Sequence, residues 1–371
     1  MTRFCLIGPT YPFRGGIAHY TTLLAEQLKR QHETLLISFT RQYPRWLFPG
    51  RSDRDPSEQP LRTDADYLLD PINPLSWRRT LRRIRRWRPD IVVIPWWVPF
   101  WAPAWAYLGR GIKRLDRRPH LLFICHNVTP HEKGRFDTLA LHMALAAGDA
   151  YVVHSKADAK RLRAHFPGAD IRTTPHSTYA AFSRVKQSTL TFSLPSDRPL
   201  LLFCGFIRPY KGLDILLEAL PSVLARIPVH LLIAGESWGE SDLYTELIND
   251  LGLDGDITFE DRYLRNEELA ACLDLASVVV LPYRSASQSG VIQLALGVGR
   301  PVITTDVGGL SEAVEHERTG LVVPPEDSQA LAEAIVRFFD QKLGPVFEDN
   351  IKSDAARFDW ERLVEKLHFS N

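Results

Sequence analysis

The stretch Pro199-Leu200-Leu201-Leu202-Phe203-Cys204-Gly205-Phe206-Ile207-Arg208-Pro209-Tyr210-Lys211-Gly212 decides the fold. A short apolar run closed by glycine reads as a buried strand, being too brief for a packed helix. The pattern that follows, Gly212–Arg226, is helical. A strand, a glycine turn and a helix in succession are the unit of a parallel α/β sheet. Arg208 and Lys211 lie in the turn at the strand's carboxyl end, the edge where open α/β sheets bind ligands. A guanidinium fork beside an ammonium point charge suits a diphosphate, whose charge they can stabilise without a metal.

The same alternation extends in both directions. Upstream, Arg3–Gly8, Thr34–Phe39, Asp90–Pro95, His120–His126 and Ala150–His154 read as strands, with helical patterns at Ala18–Gln31, Trp77–Trp87 and Lys156–Phe166. Downstream, His230–Gly235, Ile257–Glu260, Ser277–Pro282 and Pro301–Thr305 are strands. Leu243–Leu251, Asn266–Leu275 and Gly290–Leu296 are the helices among them. At 371 residues the chain has the length of two domains. The expected fold class is α/β, two Rossmann-like domains facing across a cleft. The predicted division is 1–187, joined by a C-terminal helix at 352–371, and 188–351. The boundary is marked by the Ser, Thr, Pro and Asp around Ser188–Arg198.

Composition narrows the function. No apolar run reaches the ~18 residues of a membrane-spanning helix. Cys5, Cys125, Cys204 and Cys272 are scattered and read as buried reduced thiols, an intracellular pattern. No Cys/His spacing suggests a zinc site. Asp64-Ala65-Asp66 imitates a metal-binding carboxylate pair but lacks a preceding apolar strand, so it reads as a surface loop. The net charge of +1 conceals an asymmetry. Residues 1–190 carry 30 Lys+Arg against 15 Asp+Glu, or +15, and residues 191–371 carry 15 against 29, or −14. A basic half predicts an anionic partner such as acidic lipid, and the acidic half argues against a wrapped nucleic acid.

Three further stretches carry chemistry. Gly15-Gly16-Ile17-Ala18-His19-Tyr20 puts glycines where a strand passes into a helix, letting backbone approach an anion at the helix start. His126-Asn127 and His154-Ser155 end strands, the serine spaced as a helix cap with Asp158. Pro282-Tyr283-Arg284-Ser285-Ala286-Ser287-Gln288-Ser289-Gly290 opens a helix, so the amides of Ser289, Gly290 and Val291 would cradle phosphate. It continues through Gly299-Arg300-Pro301-Val302, Thr305-Asp306-Val307-Gly308-Gly309 and Gly320-Leu321-Val322-Val323-Pro324.

Together with Gly205–Gly212, these stretches span nearly the whole chain and resemble glycosyltransferase family 4. The resemblance implies a GT-B fold and a retaining, metal-independent transfer from a nucleotide-sugar donor, with no cofactor. It also implies that Gly15 and Gly16 underlie the donor diphosphate, that His126 contacts the transferred sugar, and that Arg208 and Lys211 hold the leaving group. By the same resemblance Arg262-Tyr263-Leu264 lie at the nucleobase, mostly through backbone. The sequence departs from the family in one place. Two glutamates are expected eight positions apart, the second holding the donor ribose, and Ala286 and Leu294 stand in their frames. Gln293 is the substitute candidate for the ribose.

The basic half supplies the expected acceptor side. Trp77, Leu81, Ile84 and Trp87 form one apolar stripe on a helix whose other positions are mostly arginine, including Arg82 and Arg86. Trp96, Trp97, Phe100, Trp101 and Trp105 follow, then Arg110, Lys113, Arg114, Arg117 and Arg118. Tryptophan beside arginine predicts either a membrane interface and greasy acceptor site or packed core. The partners expected are therefore the donor, a glycan or lipid-linked acceptor and an anionic membrane surface, reached peripherally from the cytoplasm, with no nucleic acid. Two alternatives stay open, a silent scaffold on the same fold and a nucleotide-sugar epimerase.

Overall fold

A computed structural model describes residues 1–369 except 45, 49, 129–135, 187 and 240. The chain forms two compact units, Met1–Asp55 with Pro60–His176 and Asp359–Asn371, and Pro56–Gln59 with Ser177–Phe358. The division falls at His176/Ser177 rather than 187/188, and the C-terminal return starts at Asp359 rather than 352. The reason lies in packing. Tyr179 and Phe182 are buried, and the Tyr179 amide donates to the Gln293 carbonyl at 3.1 Å. The polar stretch Ser188–Arg198 is a loop within the second unit, not its border. Residues 370 and 371 of the predicted terminal helix lie outside the described residues.

The first unit has strands β1 Arg3–Ile7, β2 Glu33–Phe39, β3 Asp66–Leu69, β4 Ile91–Trp96, β5 His120–Cys125, β6 Ala150–Val153 and β7 Asp170–Thr173. They form one parallel sheet in the order β3-β2-β1-β4-β5-β6-β7. The central strands are near-continuous apolar runs because helices cover both faces of such a sheet. Helices α1 Gly16–Lys29, α2 Pro74–Trp87, α3 Ala102–Lys113, α4 Asp137–Leu145 and α5 Lys156–His165 alternate with them, and the last helix, Trp360–Leu367, returns to α1. Ser155 caps α5 as its spacing predicts, its Oγ accepting from the Asp158 amide at 3.0 Å.

The aromatic run of this unit is core, which corrects the membrane reading of Trp96, Trp97, Trp101 and Trp105. Trp96 ends the buried strand β4, and Trp101 and Trp105 are 0% exposed. Trp101 stacks on Phe39 at 4.5 Å and on Trp105 at 5.0 Å, and Trp97 Nε1 donates to the Tyr43 hydroxyl at 2.7 Å. Phe100 packs against the same cluster, partly buried. Trp101 at the N-cap of α3 and Trp105 one turn on share a face of that helix, and Trp97 joins them from the segment before it, 5.9 Å from Trp101. Pro99 and Pro103 stand in first turns, where proline's missing amide costs nothing. Ile84, Leu81, Trp77 and Trp87 pack on the core as the α2 stripe predicts. Asp66 is the first residue of β3 rather than loop, held by Arg83 Nε at 2.6 Å.

The second unit has β8 Leu200–Cys204, β9 His230–Ala234, β10 Ile257–Glu260, β11 Val278–Leu281, β12 Val302–Thr305 and β13 Gly320–Val323. They are parallel, in the order β10-β9-β8-β11-β12-β13. Its helices are α6 Leu213–Leu224, α7 Ser241–Asp250, α8 Asn266–Leu275, α9 Gly290–Gly297, α10 Leu310–Ala313, α11 Ser328–Asp340 and α12 Leu343–Ser353. The strand order reverses between β8 and β11 here, and between β1 and β4 in the first unit. Ligands of open α/β sheets bind outside the strand ends at such a reversal.

Candidate functional site

The loops after β8 and β11 meet at that reversal in the second unit. Gly205 leaves β8 with φ +96°, and a Cβ there would stand 3.1 Å from Lys211 Nζ. Gly212 has φ +67°, and a Cβ on it would fall 2.1 Å from the Pro282 carbonyl oxygen. Glycine is thus required where the two loops touch. Between them Arg208 starts a single 3₁₀ turn, Pro209–Lys211, which turns Lys211 inward. Lys211 is 6% exposed, with Nζ 5.5 Å from the centre of the Tyr283 ring. The Arg208 guanidinium lies 5.1 Å from the Trp238 ring centre.

Burial lowers the Lys211 ammonium to about 8, with Cys204 opposing and Arg208 adding to the drop. No carboxylate lies within ion-pair distance of Lys211 among the described residues. Its folded pKa is below the unfolded value of 10.5, so the unfolded chain holds the extra proton between them. The empty site is therefore least stable below about 8 and gains stability as pH rises toward 10.5. An anion binds the charged form. Its dissociation constant should rise by up to about tenfold per pH unit above the lysine's pKa. Titrating inorganic diphosphate into wild type and Lys211→Met across this range checks it, the slope disappearing in the variant.

Ser289 caps α9, its Oγ accepting from the Ile292 amide at 3.3 Å. Ser289 is buried, Gly290 and Val291 partly so. Amides of a first helical turn have no acceptor within the helix, so those of Gly290 and Val291 suit an anion. Gln293 is a correction. It is 0% exposed and both side-chain amide atoms lack a partner, so in this conformation it reaches no ribose. Its position one residue before Leu294 turns it into the helix packing. Ala286 and Leu294 are buried as well.

The Arg262 guanidinium makes two bonds to the buried Glu268, at 2.8 and 2.9 Å, and one to Glu260 at 3.0 Å, so its side chain is committed to the protein and only its backbone is left for the expected nucleobase contact. Leu264 is buried and Tyr263 half-buried. Tyr263 belongs instead to an aromatic group with Phe206, 5.8 Å away, and Trp238, which lies 4.6 Å from Phe206. Trp238 was missed in the sequence. The available signal was its place just after Gly235-Glu236-Ser237, in the loop that leaves β9.

In the first unit, His126 directly follows β5, His154 directly follows β6, and His176 lies just beyond β7. Gly15, with φ +98°, and the exposed Gly16 start α1, which brings Tyr20 among these histidines. The Tyr20 ring stands 4.5 Å from His126 and 5.1 Å from His176, and its hydroxyl meets His154 Nε2 at 3.1 Å. His126 is 6% exposed with Nε2 unpartnered. Burial, and then the nearby His176, lower its pKa to about 3, and burial takes His154 well below the usual value. Both are neutral at pH 7. A depressed histidine supports stability above its unfolded pKa of 6.5 and loses it as pH falls toward the folded value. Each such histidine should cost ~1.4 kcal/mol per unit of pH below that point. Urea melts taken in mild acid should therefore show a loss that shrinks in His126→Gln.

Residues 14–178 match the family described as Glycosyltransferase Family 4, and residues 198–341 match Glycosyl transferases group 1. A D-inositol 3-phosphate glycosyltransferase of Saccharomonospora viridis is 28% identical over 260 residues, covering 64% of this chain and 58% of that protein. That of Corynebacterium efficiens is 32% identical over 239 residues, covering 62% and 55%. The chain spans about half the length of the curated relatives it matches. Among solved structures, the sucrose-phosphate synthase of Thermosynechococcus elongatus aligns with a TM-score of 0.73 at 20% identity, covering 99% of this chain and 97% of that one. Anabaena HepE in complex with UDP aligns at 0.71 and 18% identity, covering 99% of both chains. At these identities the likeness speaks to fold alone, two α/β units of the GT-B type. Because the two family matches follow one another along the chain and fall on the motifs of both units, this protein belongs to the family 4, group 1 glycosyltransferases.

Proposed function

We propose that the chain transfers a sugar from a nucleoside-diphosphate sugar to an acceptor, with Arg208 and Lys211 stabilising the departing diphosphate. The observation that carries this reading is Lys211, a buried amine with no carboxylate partner at the β8/β11 reversal. A cation held there without a counter-ion lowers the energy of charge that develops as the glycosidic bond breaks. The amides of Gly290 and Val291 add donors to the same phosphates. Phe206, Trp238 and Tyr263 offer ring faces for a base. The likeness to HepE, solved with UDP and with UDP-glucose, favours a uridine donor.

Retention of configuration, and the roles of His126 at the sugar and of Gly15 and Gly16 at the diphosphate, follow from the family resemblance. Fixed cations take the place of a metal, and no cofactor is needed. The relatives' names point to a phosphorylated polyol as one acceptor class. The basic first half instead favours a lipid-linked or polysaccharide acceptor at the cytoplasmic membrane face. No helix among the described residues is long and apolar enough to cross a membrane.

One observation favours a second reading, the silent scaffold. Ala286 and Leu294 replace the expected carboxylates, and Gln293 is sealed in the core. Thermal shift against UDP, GDP, ADP, TDP and CMP separates the two, because a ligand of the native state raises its apparent stability. A selective shift, lost in Arg208→Ala, is expected. No shift with any nucleotide at millimolar concentration would favour the scaffold.

A further inference from the structure

With the tryptophans of 96–105 buried, the first unit still exposes apolar residues on α4, at Leu139 and Met143, and in a group at the β2–β3 edge of its sheet. β2 and β3 are parallel neighbours, so both carboxyl ends lie on the same side. The loop after β2 carries Trp46, 80% exposed, and Leu47, 38% exposed. The turn and helix start after β3 carry Ile72, 49% exposed, and Leu75, 59% exposed. Arg41 ties the two loops together, its Nη2 2.6 Å from Asp70. Exposed tryptophan, leucine and isoleucine on adjacent loops are unfavourable in water and settle at a bilayer interface.

Directly beyond Leu75 runs the exposed face of α2. Leu75, Arg79, Arg82 and Arg86 share one side of the helix, flanked by Arg78. Arg83 and Arg85 pair with Asp66 and Asp116, whereas Arg78, Arg79 and Arg82 meet no carboxylate among the described residues. Those three arginines, with Leu75, Leu81 and Tyr107, line a groove of about 360 Å³. Its walls are cationic, and Leu81 and Tyr107 rest against the core.

We propose that this groove and its apolar rim form a docking site for an anionic phospholipid surface. The arginines of α2 meet the headgroup phosphates, and Trp46, Leu47, Ile72 and Leu75 enter the interface. Charge complementarity selects the occupant, since each arginine near an acidic bilayer adds attraction. The apolar rim separates a bilayer from a nucleic acid, which offers no layer to receive four exposed hydrophobic side chains. This inference deepens the membrane-face part of the proposed function. Its test uses no donor or acceptor, so it fails separately from the transfer reaction.

The test is sedimentation of the full chain with vesicles of phosphatidylglycerol in phosphatidylcholine, and of phosphatidylcholine alone. The wild type should pellet with the acidic vesicles only. The triple variant Arg78→Gln, Arg79→Gln, Arg82→Gln should lose at least about tenfold in partitioning. Trp46→Ser with Leu75→Ser should weaken it in the same direction, and both variants should melt at the wild-type temperature. Equal partitioning of the triple variant and wild type would overturn the proposal, as would no preference for acidic vesicles. Release by millimolar inorganic phosphate at constant ionic strength would mark a free-phosphate site instead. Retention on duplex DNA without vesicle binding would assign the surface to nucleic acid.

Discussion

Arg208→Ala and Lys211→Ala should each lower kcat of sugar transfer by about 100- to 1,000-fold, the usual cost of removing one preorganised group aimed at developing charge. In the proposed reaction both cations act where the diphosphate leaves, so their loss should appear in kcat more than in KM. The conservative exchanges separate the two roles. Arg208→Lys keeps charge but loses the planar fork and the contact with Trp238, 5.1 Å away, so it should recover part of the activity. Lys211→Arg puts a larger planar head at a position only 6% exposed, so it should not recover activity. Removing the buried ammonium should leave the empty protein as stable as before or more so at neutral pH, since burial disfavours the charge. Steady-state kinetics with thermal melts checks both points. Full turnover in either alanine variant would remove the diphosphate assignment.

Trp101→Ala should destabilise the first unit by about 3–5 kcal/mol, the range for a large aromatic removed from a core. Trp101 is 0% exposed and stacks on both Phe39 and Trp105, so nothing nearby can close the cavity. If the aromatic run were a solvent or membrane face, the change would stay within ~0.5 kcal/mol in solution. Urea unfolding followed by tryptophan fluorescence distinguishes the two. The loss should fall on the first unit's transition, leaving diphosphate binding by the second unit intact at low denaturant.

Much of this architecture is legible without coordinates. The buried central strands announce themselves as apolar runs ending in glycine or histidine, and Arg208 and Lys211 are visible from their place after β8. Edge strands are not. β3 and β7 read Asp-Tyr-Leu-Leu and Asp-Ile-Arg-Thr, half-exposed segments whose pairing comes from a neighbour rather than from their own pattern. Helix α3 was hidden by Pro99 and Pro103, which break a helix in mid-course but start one here. Sequence shows the charge of Arg262 but not Glu268, the partner that holds its side chain. Gln293 and Trp238 erred in opposite directions. One faces inward by a single helical step, and the other is aimed by a loop with no periodic signal.

Chain order adds a constraint on how the protein is made. The backbone passes between the units at Asp55/Pro56, Gln59/Pro60, His176/Ser177 and Phe358/Asp359. The last helix lays Trp360 against Tyr20, their ring centres 5.1 Å apart. During synthesis the second unit can therefore finish folding while the first still waits for its closing segment. Until that segment leaves the ribosome, the Tyr20–histidine cluster stands open on one side. The half of the protein translated first is the half completed last.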